Sequence, residues 1–511
     1  MEHKHEAPAK DWQGAQNLTK YTDFPADIQK PEGLFSELTE DIKHNETKLK
    51  TQRKQQEKGK SYQSVLSELL NQLQPINYRE LAELENEEKL TRKNYVVISI
   101  DNIIEVAKSN NWGICTQNGF IYVFNGKYWQ SLSNDDLKSF LGNAAIKMQV
   151  PKLEAKYHLF RDDLFKQFMT TSIFPTPDTK QETLINLLNG TYEITESGFQ
   201  NLREHKREDF LTYLLPFAYN PDAKCPLFLK YLNRVIPDKQ CQMVLAEYIG
   251  YIFTKNLKLE KALILYGNGA NGKSVFFEII NALLGKQNIS SYSLQNLTKS
   301  DSYQRAELQN KLLNYASEIN GKLEASIYKQ LVSGEPVDAR HIYGKPFTMS
   351  NYAKLMFNCN ELPKDIEFTH AFFRRFLIIP FNQTIPESEQ DPELAKKIIE
   401  TELDGFFIWV LEGLKRILKQ RKFTQSNLIT EQIINYRKEA DSVSMFLEEE
   451  NYQPSNGYPN MYLKAIYSEY RAFCQDNGYR TCSNRTLSER LRNLGYTIEK
   501  NRDGRIVFAE K

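Results

Sequence analysis

The segment of residues 261–274 constrains the fold of this chain more than any other. An apolar run, Ala262–Tyr266, predicts a buried strand, and residues 275–284 predict a helix that ends near Gly285. Between them, residues 267–274 fit the phosphate-binding pattern G-x-x-x-x-G-K-[ST]. This pattern has meaning only between a strand and a helix, and both are predicted here. The context disfavours the alternative, a glycine-rich turn that happens to end in Lys-Ser.

The loop predicts a site for a nucleoside triphosphate. Glycines allow backbone N–H groups to point at a polyphosphate, and the helix N-terminus adds partial positive charge. Lys273 is placed to reach the β- and γ-phosphates, and the Ser274 hydroxyl to hold Mg²⁺. We therefore expect ATP and Mg²⁺ as cofactors. The expected binding residues are Gly267, Asn268, Gly269, Ala270, Asn271, Gly272, Lys273, Ser274 and Val275.

Length and composition limit the remaining possibilities. A chain of 511 residues is too long for one core, so about two to four domains are expected. The net charge of +1 shows no overall basic excess, so any surface for nucleic acid must be local. No apolar run is long enough to span a membrane, no signal peptide is visible, and the six scattered cysteines include no C-x-x-C pair. These features predict a cytoplasmic protein with no membrane, zinc or disulfide requirement.

A second predicted strand carries a candidate catalytic acid. Residues 311–317 would form a strand beside the one that precedes the phosphate loop, and Glu318 follows its carboxyl end. Open α/β sheets place their sites at this edge. Glu318 would orient the attacking water and, with Ser274, hold Mg²⁺. The alternative is a surface glutamate at the start of a loop. Ser317 stands where many such ATPases carry an additional acid.

Three further positions complete the candidate catalytic set. Residues 354–358 predict a third strand, after which the amide of Asn360 could bond the γ-phosphate or its water. Arg374 and Arg375 interrupt an apolar run, and adjacent side chains cannot both face one partner equally. They form either a structural ion pair or an arginine finger, which stabilises charge on the transferring phosphoryl group. The phosphate loop favours the finger, and a finger supplied to a neighbouring subunit would require an oligomer.

A predicted hairpin is the first candidate DNA contact. Two β-prone runs meet at Gly344-Lys345, and the polar positions are Arg340, His341, Tyr343 and Lys345. Cationic side chains can bind the phosphates of a DNA backbone, and an aromatic side chain between them can stack on one base. A solvated hairpin fits the composition equally well.

The chain divides into four predicted parts. Residues 1–93 form a polar arm, mostly helical or partly disordered, with short helices within 61–90. Residues 94–225 form an α+β collar-like domain with a strand at 95–100 and hairpins at Asn125-Gly126 and Asn189-Gly190. A turn-rich hinge at 216–226 leads into the ATPase domain, residues 226–440, which ends in a helix pair within 391–420.

The fourth part, residues 441–511, predicts a second DNA contact. A linker at 441–459 precedes helices at 462–477 and 483–494 and a two-stranded wing, which together suggest a winged helix. Leu487, Leu491 and Leu494 form the apolar stripe of the second helix. The candidate DNA-binding residues are Arg485, Arg492 and Arg502. A protein-binding winged helix with solvated arginines is the alternative.

Five motifs, in order and spacing, resemble one family. They are GNGANGKS at 267–274, ASE at 316–318, GEPVDAR at 334–340, FNCNELP at 357–363 and FRRFLIIPF at 373–381. They resemble the helicase part of phage and plasmid primase-helicases, a group akin to the poxvirus replicative NTPase within helicase superfamily 3. The resemblance extends upstream through residues 186–190 and 219–226, so it covers the chain from about residue 94 onward.

The resemblance implies an α/β fold: an AAA+-type P-loop ATPase core with a mixed α+β N-terminal region and a C-terminal winged helix. It also implies a hexameric ring with ATP between subunits and a hairpin that tracks single-stranded DNA, typically 3′ to 5′. By position, Lys273 and Ser274 would bind phosphate and Mg²⁺, and Glu318 would polarise water. Asn360 would be the sensor, and Arg374 or Arg375 would act in trans.

One departure from the family matters. Related longer proteins carry a primase domain in which paired acids end a strand. Here the nearest predicted strand, residues 95–100, ends in a lone Asp101, and the first part of the chain is short and polar. We expect no primer synthesis by this chain alone.

The sequence therefore predicts a DNA-dependent ATPase and replicative helicase of a phage or other mobile element, in the cytoplasm of a bacterial host. Its expected partners are single-stranded and forked DNA, other copies in a homo-hexamer, and a separate primase or initiation protein. The alternative is an ATP-dependent initiator that binds and melts an origin without processive unwinding. A packaging or defence ATPase that shares the motor is a third interpretation.

Overall fold

The computed structural model describes residues 60–85, 87–175, 182–317, 319, 323–342, 344–364, 366–455, 457 and 461–511. The predictions for most of the arm, residues 1–59, and for Glu318 and Tyr343 lie outside the described residues. Within the described part of the chain, none of the helices combines the length and apolarity needed to cross a membrane.

The described residues of the N-terminal part form six helices and two antiparallel sheets. The helices are α1 (Tyr62–Gln72), α2 (Tyr78–Leu81), α3 (Arg92–Ser109), α4 (Asn134–Lys147), α5 (Lys152–Lys156) and α6 (His158–Thr171). The first sheet is β1 (Gly113–Gln117), β2 (Phe120–Phe124) and β3 (Trp129–Leu132), and the second is β4 (Thr183–Leu187), β5 (Gly190–Ile194) and β6 (Gln200–Arg203). Both predicted Asn-Gly hairpins are confirmed by the pairing of β2 with β3 and of β4 with β5.

The predicted strand at 95–100 is wrong, because these residues lie within helix α3. A capping box begins the helix: the Thr91 side chain accepts from the Asn94 backbone N–H, and the Asn94 side chain accepts from the Thr91 N–H. Val96, Ile100 and Ile103 are buried on one face at helical spacing, which outweighs the strand preference of a β-branched run. Asp101 therefore lies inside a helix and not at the end of a strand, where it was predicted.

The central part is built on five parallel strands. They are β7 (Ala262–Tyr266), β8 (Ile289–Ser290), β9 (Leu313–Ala316), β12 (Lys354–Cys359) and β13 (Phe376–Pro380), in the order β13-β7-β12-β9-β8. A separate pair, β10 (Val337–Ala339) and β11 (Phe347–Met349), forms the predicted hairpin. The helices are α7 (Pro226–Val235), α8 (Lys239–Tyr251), α9 (Lys273–Leu284), α10 (Leu294–Thr298), α11 (Ala325–Ser333), α12 (His370–Phe373), α13 (Leu394–Thr401), α14 (Leu403–Gln420) and α15 (Asn427–Glu439).

Both faces of this sheet are covered, as parallel sheets require. On one face Leu263 and Leu265 join a buried cluster that includes residues of α8, α9 and α14. On the other face Ala262 and Ile264 join a cluster that includes residues of α11, α12 and α15. The alternation along β7 follows the two-residue period of a strand. The first cluster also contains Ile185 and Tyr192 of the second antiparallel sheet. Apolar packing therefore continues across the predicted domain boundary at residue 225, and the domain boundaries stay a prediction.

The C-terminal part has its own core. Its elements are α16 (Ser442–Glu449), β14 (Gln453–Pro454), β15 (Met461–Tyr462), α17 (Leu463–Asp476), α18 (Asn484–Asn493), β16 (Ile498–Lys500), β17 (Arg505–Val507) and β18 (Ala509–Glu510). The predicted linker at 441–459 is wrong in its first half, because α16 buries Val443 and Phe446 against α17 and α18. Leu494 is also misassigned, since it lies exposed just beyond α18.

Glu402 joins two parts of the central fold through a helix N-terminus. Its buried carboxylate accepts hydrogen bonds from the backbone N–H groups of Leu227 and Phe228 at 2.9 and 2.8 Å. These groups belong to the first turn of α7, where backbone donors have no partner within the helix. Because Glu402 immediately precedes α14, these bonds connect the start of α7 to the start of α14.

We expect Glu402→Ala to lower the free energy of unfolding by about 1–3 kcal/mol, because it leaves two buried donors without acceptors. Chemical denaturation followed by circular dichroism measures the change. The matched control is Glu400→Ala, which removes an exposed carboxylate near the end of α13, two residues before Glu402. Equal stability of the two variants would contradict this role for Glu402.

Candidate functional site

The turn from β7 into α9 is shaped by two glycines. Gly272 has φ +87° at the N-cap of α9, and a Cβ there would lie 2.8 Å from Val235 Cγ1. At Gly267 a Cβ would lie 2.4 Å from the Phe381 carbonyl oxygen. A larger residue at either position would therefore clash with a neighbouring segment. At Gly272 it would also have to adopt the left-handed backbone conformation, which glycine adopts without steric cost. The predicted strand, loop and helix are all present at the predicted positions.

Three contacts from two other segments hold this loop. The Asn271 Nδ2 donates to Phe381 O at 3.0 Å, and the Ile385 N–H donates to Ala270 O at 2.8 Å. On the other side, the buried Tyr231 hydroxyl donates to Gly272 O at 2.8 Å. The loop backbone is thus fixed by the chain that follows β13 and by α7. Sequence reasoning missed Tyr231 and Phe381, because nothing local marks residues that act on a distant turn.

Lys273 lies buried in the loop that it follows. Its Nζ donates to Gly267 O and to Asn271 Oδ1, the latter at 3.1 Å. Burial lowers the pKa of this ammonium. Both acceptors are uncharged oxygens. An anionic ligand that replaced them would add a charge–charge interaction with the Lys273 ammonium. Ser274 is exposed one position later, at the start of α9.

Asn360 lies at the same edge of the sheet as the loop. Strand β12 runs parallel to β7, with Cys359 opposite Tyr266, and the Gly267 N–H donates to Cys359 O at 3.1 Å. Asn360 is exposed directly after this pairing, as its predicted role requires. The sequence analysis missed its neighbour Asn358, whose buried side chain accepts from the Tyr315 hydroxyl at 2.8 Å.

The strand that precedes Glu318 has a different neighbour from the one predicted. Strand β9 pairs with β12 and β8, so β12 separates it from β7. Residue order along the chain does not reveal strand order, which explains the error. Parallel β9 nevertheless ends at the same carboxyl edge, with exposed Ser317 after it, whereas Glu318 itself lies outside the described residues.

A cavity of about 470 Å³ lies next to the loop. One of its lining residues, Val235, is also the residue that a Cβ at Gly272 would contact. Two others, Pro380 and Asn382, are the chain neighbours of Phe381, whose carbonyl oxygen accepts from Asn271. Its other lining residues include Ile236, Pro237 and Leu428. The apolar lining and the volume are typical of a site for a small organic ring system.

Arg374 and Arg375 share one acid but meet it unequally, as expected for adjacent side chains. Glu260 Oε2 lies 2.9 Å from Arg374 Nη2 and 3.2 Å from Arg375 Nη2. The two environments nevertheless differ. The Arg374 side chain is 50% exposed, whereas that of Arg375 is 9% exposed and also donates to Ala371 O and Ser333 Oγ. The structural ion pair, which the sequence analysis gave as the alternative to a finger, is therefore present.

These arginines lie at the opposite edge of the sheet from the loop. The Ala262 N–H at the start of β7 donates to Arg375 O at 2.8 Å, and β13 runs parallel to β7 from there. The path along the strand from Ala262 to Gly267 is roughly 17 Å, more than an arginine side chain spans. Within one chain, the structure does not bring Arg374 or Arg375 to the loop.

The hairpin presents its polar residues at an exposed tip. Arg340 donates to the Tyr303 hydroxyl at 2.7 Å and lies over that ring. His341 Nδ1 lies 3.4 Å from Glu307 Oε1, and its ring stacks on Phe347. Lys345 is exposed, and Tyr343 lies outside the described residues. The tip is thus accessible but rests on residues 303–307.

The candidate arginines of the C-terminal part are all exposed. Arg485 is 88% exposed on α18 and pairs with Glu489 at 3.1 Å, Arg492 follows on the same helix, and Arg502 lies between β16 and β17. Arg490 of the same helix behaves differently: it pairs with Asp441 and lies over the Phe368 ring. It joins the C-terminal part to the central part, a role that its sequence position did not indicate.

We expect Asn271→Ala to loosen the loop, because it removes a side-chain amide that donates to Asn268 O and Phe381 O and accepts from Lys273 Nζ. Losing such buried hydrogen bonds costs about 1–3 kcal/mol, which predicts amide exchange about tenfold faster in residues 267–274. Hydrogen–deuterium exchange measures this directly, with Asn268→Ala as the control, since that side chain is exposed. Unchanged exchange in the Asn271 variant would show that the loop does not need this tether.

Comparisons with known proteins match two regions of the chain. Residues 101–237 match the family described as D5 N terminal like, and residues 265–375 match a family of unknown function, DUF5906. A solved structure, the apo A form of the NrS-1 C-terminal region, is similar with a TM-score of 0.44 and 13% identity. It covers 80% of this chain and 97% of that one.

Curated relatives include two viral proteins. "Putative helicase L207/L206" of Acanthamoeba polyphaga mimivirus is 22% identical over 63% of this chain and 36% of its own length. "Putative helicase 121R" of Invertebrate iridescent virus 3 is 24% identical over 52% of this chain and 32% of its own length. The chain thus spans about a third of the length of these relatives. The D5-like region and these relatives support the resemblance carried by the five motifs.

Proposed function

We propose that this protein is an ATP-dependent DNA helicase with an AAA+-type motor, active as a hexameric ring in the replication of a mobile genetic element. The observation that carries the proposal is the loop after β7. It is held by Tyr231 and Phe381, buries Lys273 against uncharged oxygens, and lies at the carboxyl edge of a parallel sheet. Parallel α/β sheets bind their ligands at this edge. The names of the viral relatives support a helicase role.

ATP and Mg²⁺ fit the residues present. Lys273 would exchange its bonds to Gly267 O and Asn271 Oδ1 for bonds to phosphate oxygens, and the backbone of the loop would bind the remaining phosphate charge. The exposed Ser274 hydroxyl and Glu318 would hold Mg²⁺, which neutralises charge on the phosphates when bound. The cavity beside Val235 would take the base, because it lies next to Gly272 and is lined mainly by apolar side chains.

Hydrolysis needs groups that act on water and on developing charge. Glu318 is the proposed base for the attacking water, since it follows a strand that ends at the edge of the loop. Asn360 would bond the γ-phosphate or that water from the end of β12. Both roles rest on the family motifs together with the shared sheet edge.

Arg374 is the better candidate for a finger that acts in trans. Neither arginine reaches the loop of its own chain, so a role in hydrolysis requires the site of a neighbouring subunit. Arg374 is half exposed and could leave Glu260 for a phosphate, whereas Arg375 is buried among Ser333, Ala371 and Glu260. Arg375 then positions Arg374, and the finger explains why such a motor would work only as an oligomer.

DNA would contact the hairpin tip and the C-terminal part. Arg340, His341, Tyr343 and Lys345 are proposed to track one strand in the channel of the ring. The helices α16–α18 with the sheet β15-β17-β16 suit a winged helix, in which Arg485, Arg492 and Arg502 would meet phosphates. The exposure of these arginines also favours a second candidate function, an initiator that binds origin duplex. Sequence-selective duplex binding without strand displacement would support the initiator.

We expect Lys273→Ala to abolish ATP hydrolysis and strand displacement and to leave part of the DNA affinity, because the lysine contacts phosphate and not DNA. Strand displacement on forked DNA with ATP and Mg²⁺ measures the activity, and anisotropy of a labelled oligonucleotide measures binding. Tripolyphosphate, which lacks a base, is expected to bind more weakly than ATP. A wild-type protein that neither hydrolyses ATP nor separates strands would overturn the proposal.

We expect Arg374→Ala and Glu318→Gln each to be inactive alone and to regain activity when mixed. In a mixed ring, some interfaces combine an intact Glu318 with an intact Arg374 from the neighbour. ATPase activity across mixing ratios measures the recovery, and Arg375→Ala serves as the comparison, with loss of stability expected from its burial. Failure of every mixture to exceed the parent variants would count against action in trans.

A further inference from the structure

Helix α11 lies between two proposed functional elements, the arginine pair and the DNA hairpin. It ends at Ser333 and is capped by Gly334 in the left-handed conformation with φ +67°, and β10 begins at Val337. Three residues therefore separate the last turn of the helix from the hairpin. Any movement of α11 along its axis must move the base of the hairpin.

The end of α11 is bonded to the arginine segment. The hydroxyl of buried Ser333 accepts from Arg375 Nη2 at 3.1 Å and Nε at 3.4 Å. The same guanidinium meets Glu260, which also holds Arg374. Ser333 is thus linked to the proposed finger, Arg374, through the side chains of Arg375 and Glu260.

A second connection ties the middle of the helix to the residues before the arginines. Lys329 Nζ donates to both carboxylate oxygens of Glu367, at 2.8 and 3.1 Å. Glu367 in turn accepts from Thr369 Oγ1, which caps α12. Next to Lys329, the Tyr328 ring stacks on Phe376 with centroids 5.0 Å apart. Helix α11 and residues 367–376 therefore pack as one body.

The joint between α11 and the hairpin is also braced. The Tyr352 hydroxyl lies 2.8 Å from Glu335 O and 3.1 Å from Gln330 O, across the turn between them. Buried Arg305 donates to Asp338 O in β10 at 2.8 Å. A braced joint transmits a displacement, whereas a loose one would absorb it.

We propose that α11 couples the arginine segment to the hairpin, with Ser333 and the pair Lys329–Glu367 as positioning residues. This inference rests on the proposed function: when Arg374 meets a nucleotide in the neighbouring subunit, the shift passes through Arg375 and Ser333 to the hairpin. By reciprocity, DNA on the hairpin biases the arginine toward the neighbouring site and stimulates hydrolysis. None of the three positioning residues touches nucleotide or DNA in this account.

The test compares ATPase rates of the full chain with and without saturating oligo-dT. We expect Ser333→Ala to keep a basal rate close to that of the wild type and to lose stimulation by about threefold or more. Anisotropy should show unchanged oligo-dT binding. The control is Ser326→Ala, which removes an exposed hydroxyl from the same helix and should keep full stimulation. A merely structural serine would lower basal and stimulated rates together.

Charge reversal provides a second test that does not disturb the buried serine. The side chains of Lys329 and Glu367 are 27% and 35% exposed, so their variants are expected to fold. Lys329→Glu and Glu367→Lys should each reduce stimulation, and the double variant should restore it. Full stimulation in Ser333→Ala and in both single variants would overturn the inference and leave the proposed function intact. A wild type without DNA stimulation would overturn the coupling and count against the proposed function itself.

Discussion

The turn between β7 and α9 is fixed by hydrogen bonds to residues outside it. Two of its carbonyl groups and one of its side chains are bonded to residues that follow β13 or belong to α7. The glycines allow the path, and the partners select it. Lys273 is buried only because this frame surrounds it, and it is compensated by uncharged oxygens. The proposed chemistry depends on that ready-made position, since preorganised groups need little rearrangement when a ligand arrives.

The parallel sheet separates two sets of functional candidates. Its carboxyl edge carries the phosphate loop, Asn360 and the end of β9, whereas its amino edge carries the arginines and their acid Glu260. A single chain cannot bring both edges to one nucleotide. The proposed ring resolves this, because the amino edge of one subunit can face the carboxyl edge of the next. The same separation gives α11 its proposed importance, since it connects the amino edge to the hairpin.

Much of the local structure could be predicted from the sequence because its determinants are local. The β7–loop–α9 unit, both Asn-Gly hairpins and the helix ending before Gly334 follow from periodicity, glycine and turn residues. The failures arise where tertiary contacts decide. Residues 95–100 include four β-branched residues but lie in a capped helix, and β12 lies between β7 and β9 although it comes later in the chain. Tyr231, Glu260 and Ser333 could not be found, because their roles exist only through residues far away in sequence.

The central claim is that one nucleotide is bound by Lys273 of one subunit and Arg374 of the next. A cryo-electron microscopy structure of the protein with a non-hydrolysable ATP analogue, Mg²⁺ and oligo-dT tests it most directly. We expect a closed ring in which Lys273 Nζ has left Gly267 O for the β- and γ-phosphates and Arg374 of the adjoining subunit faces the same nucleotide. A nucleotide bound away from the loop, or a monomer with Lys273 still bonded to Gly267 O, would contradict it.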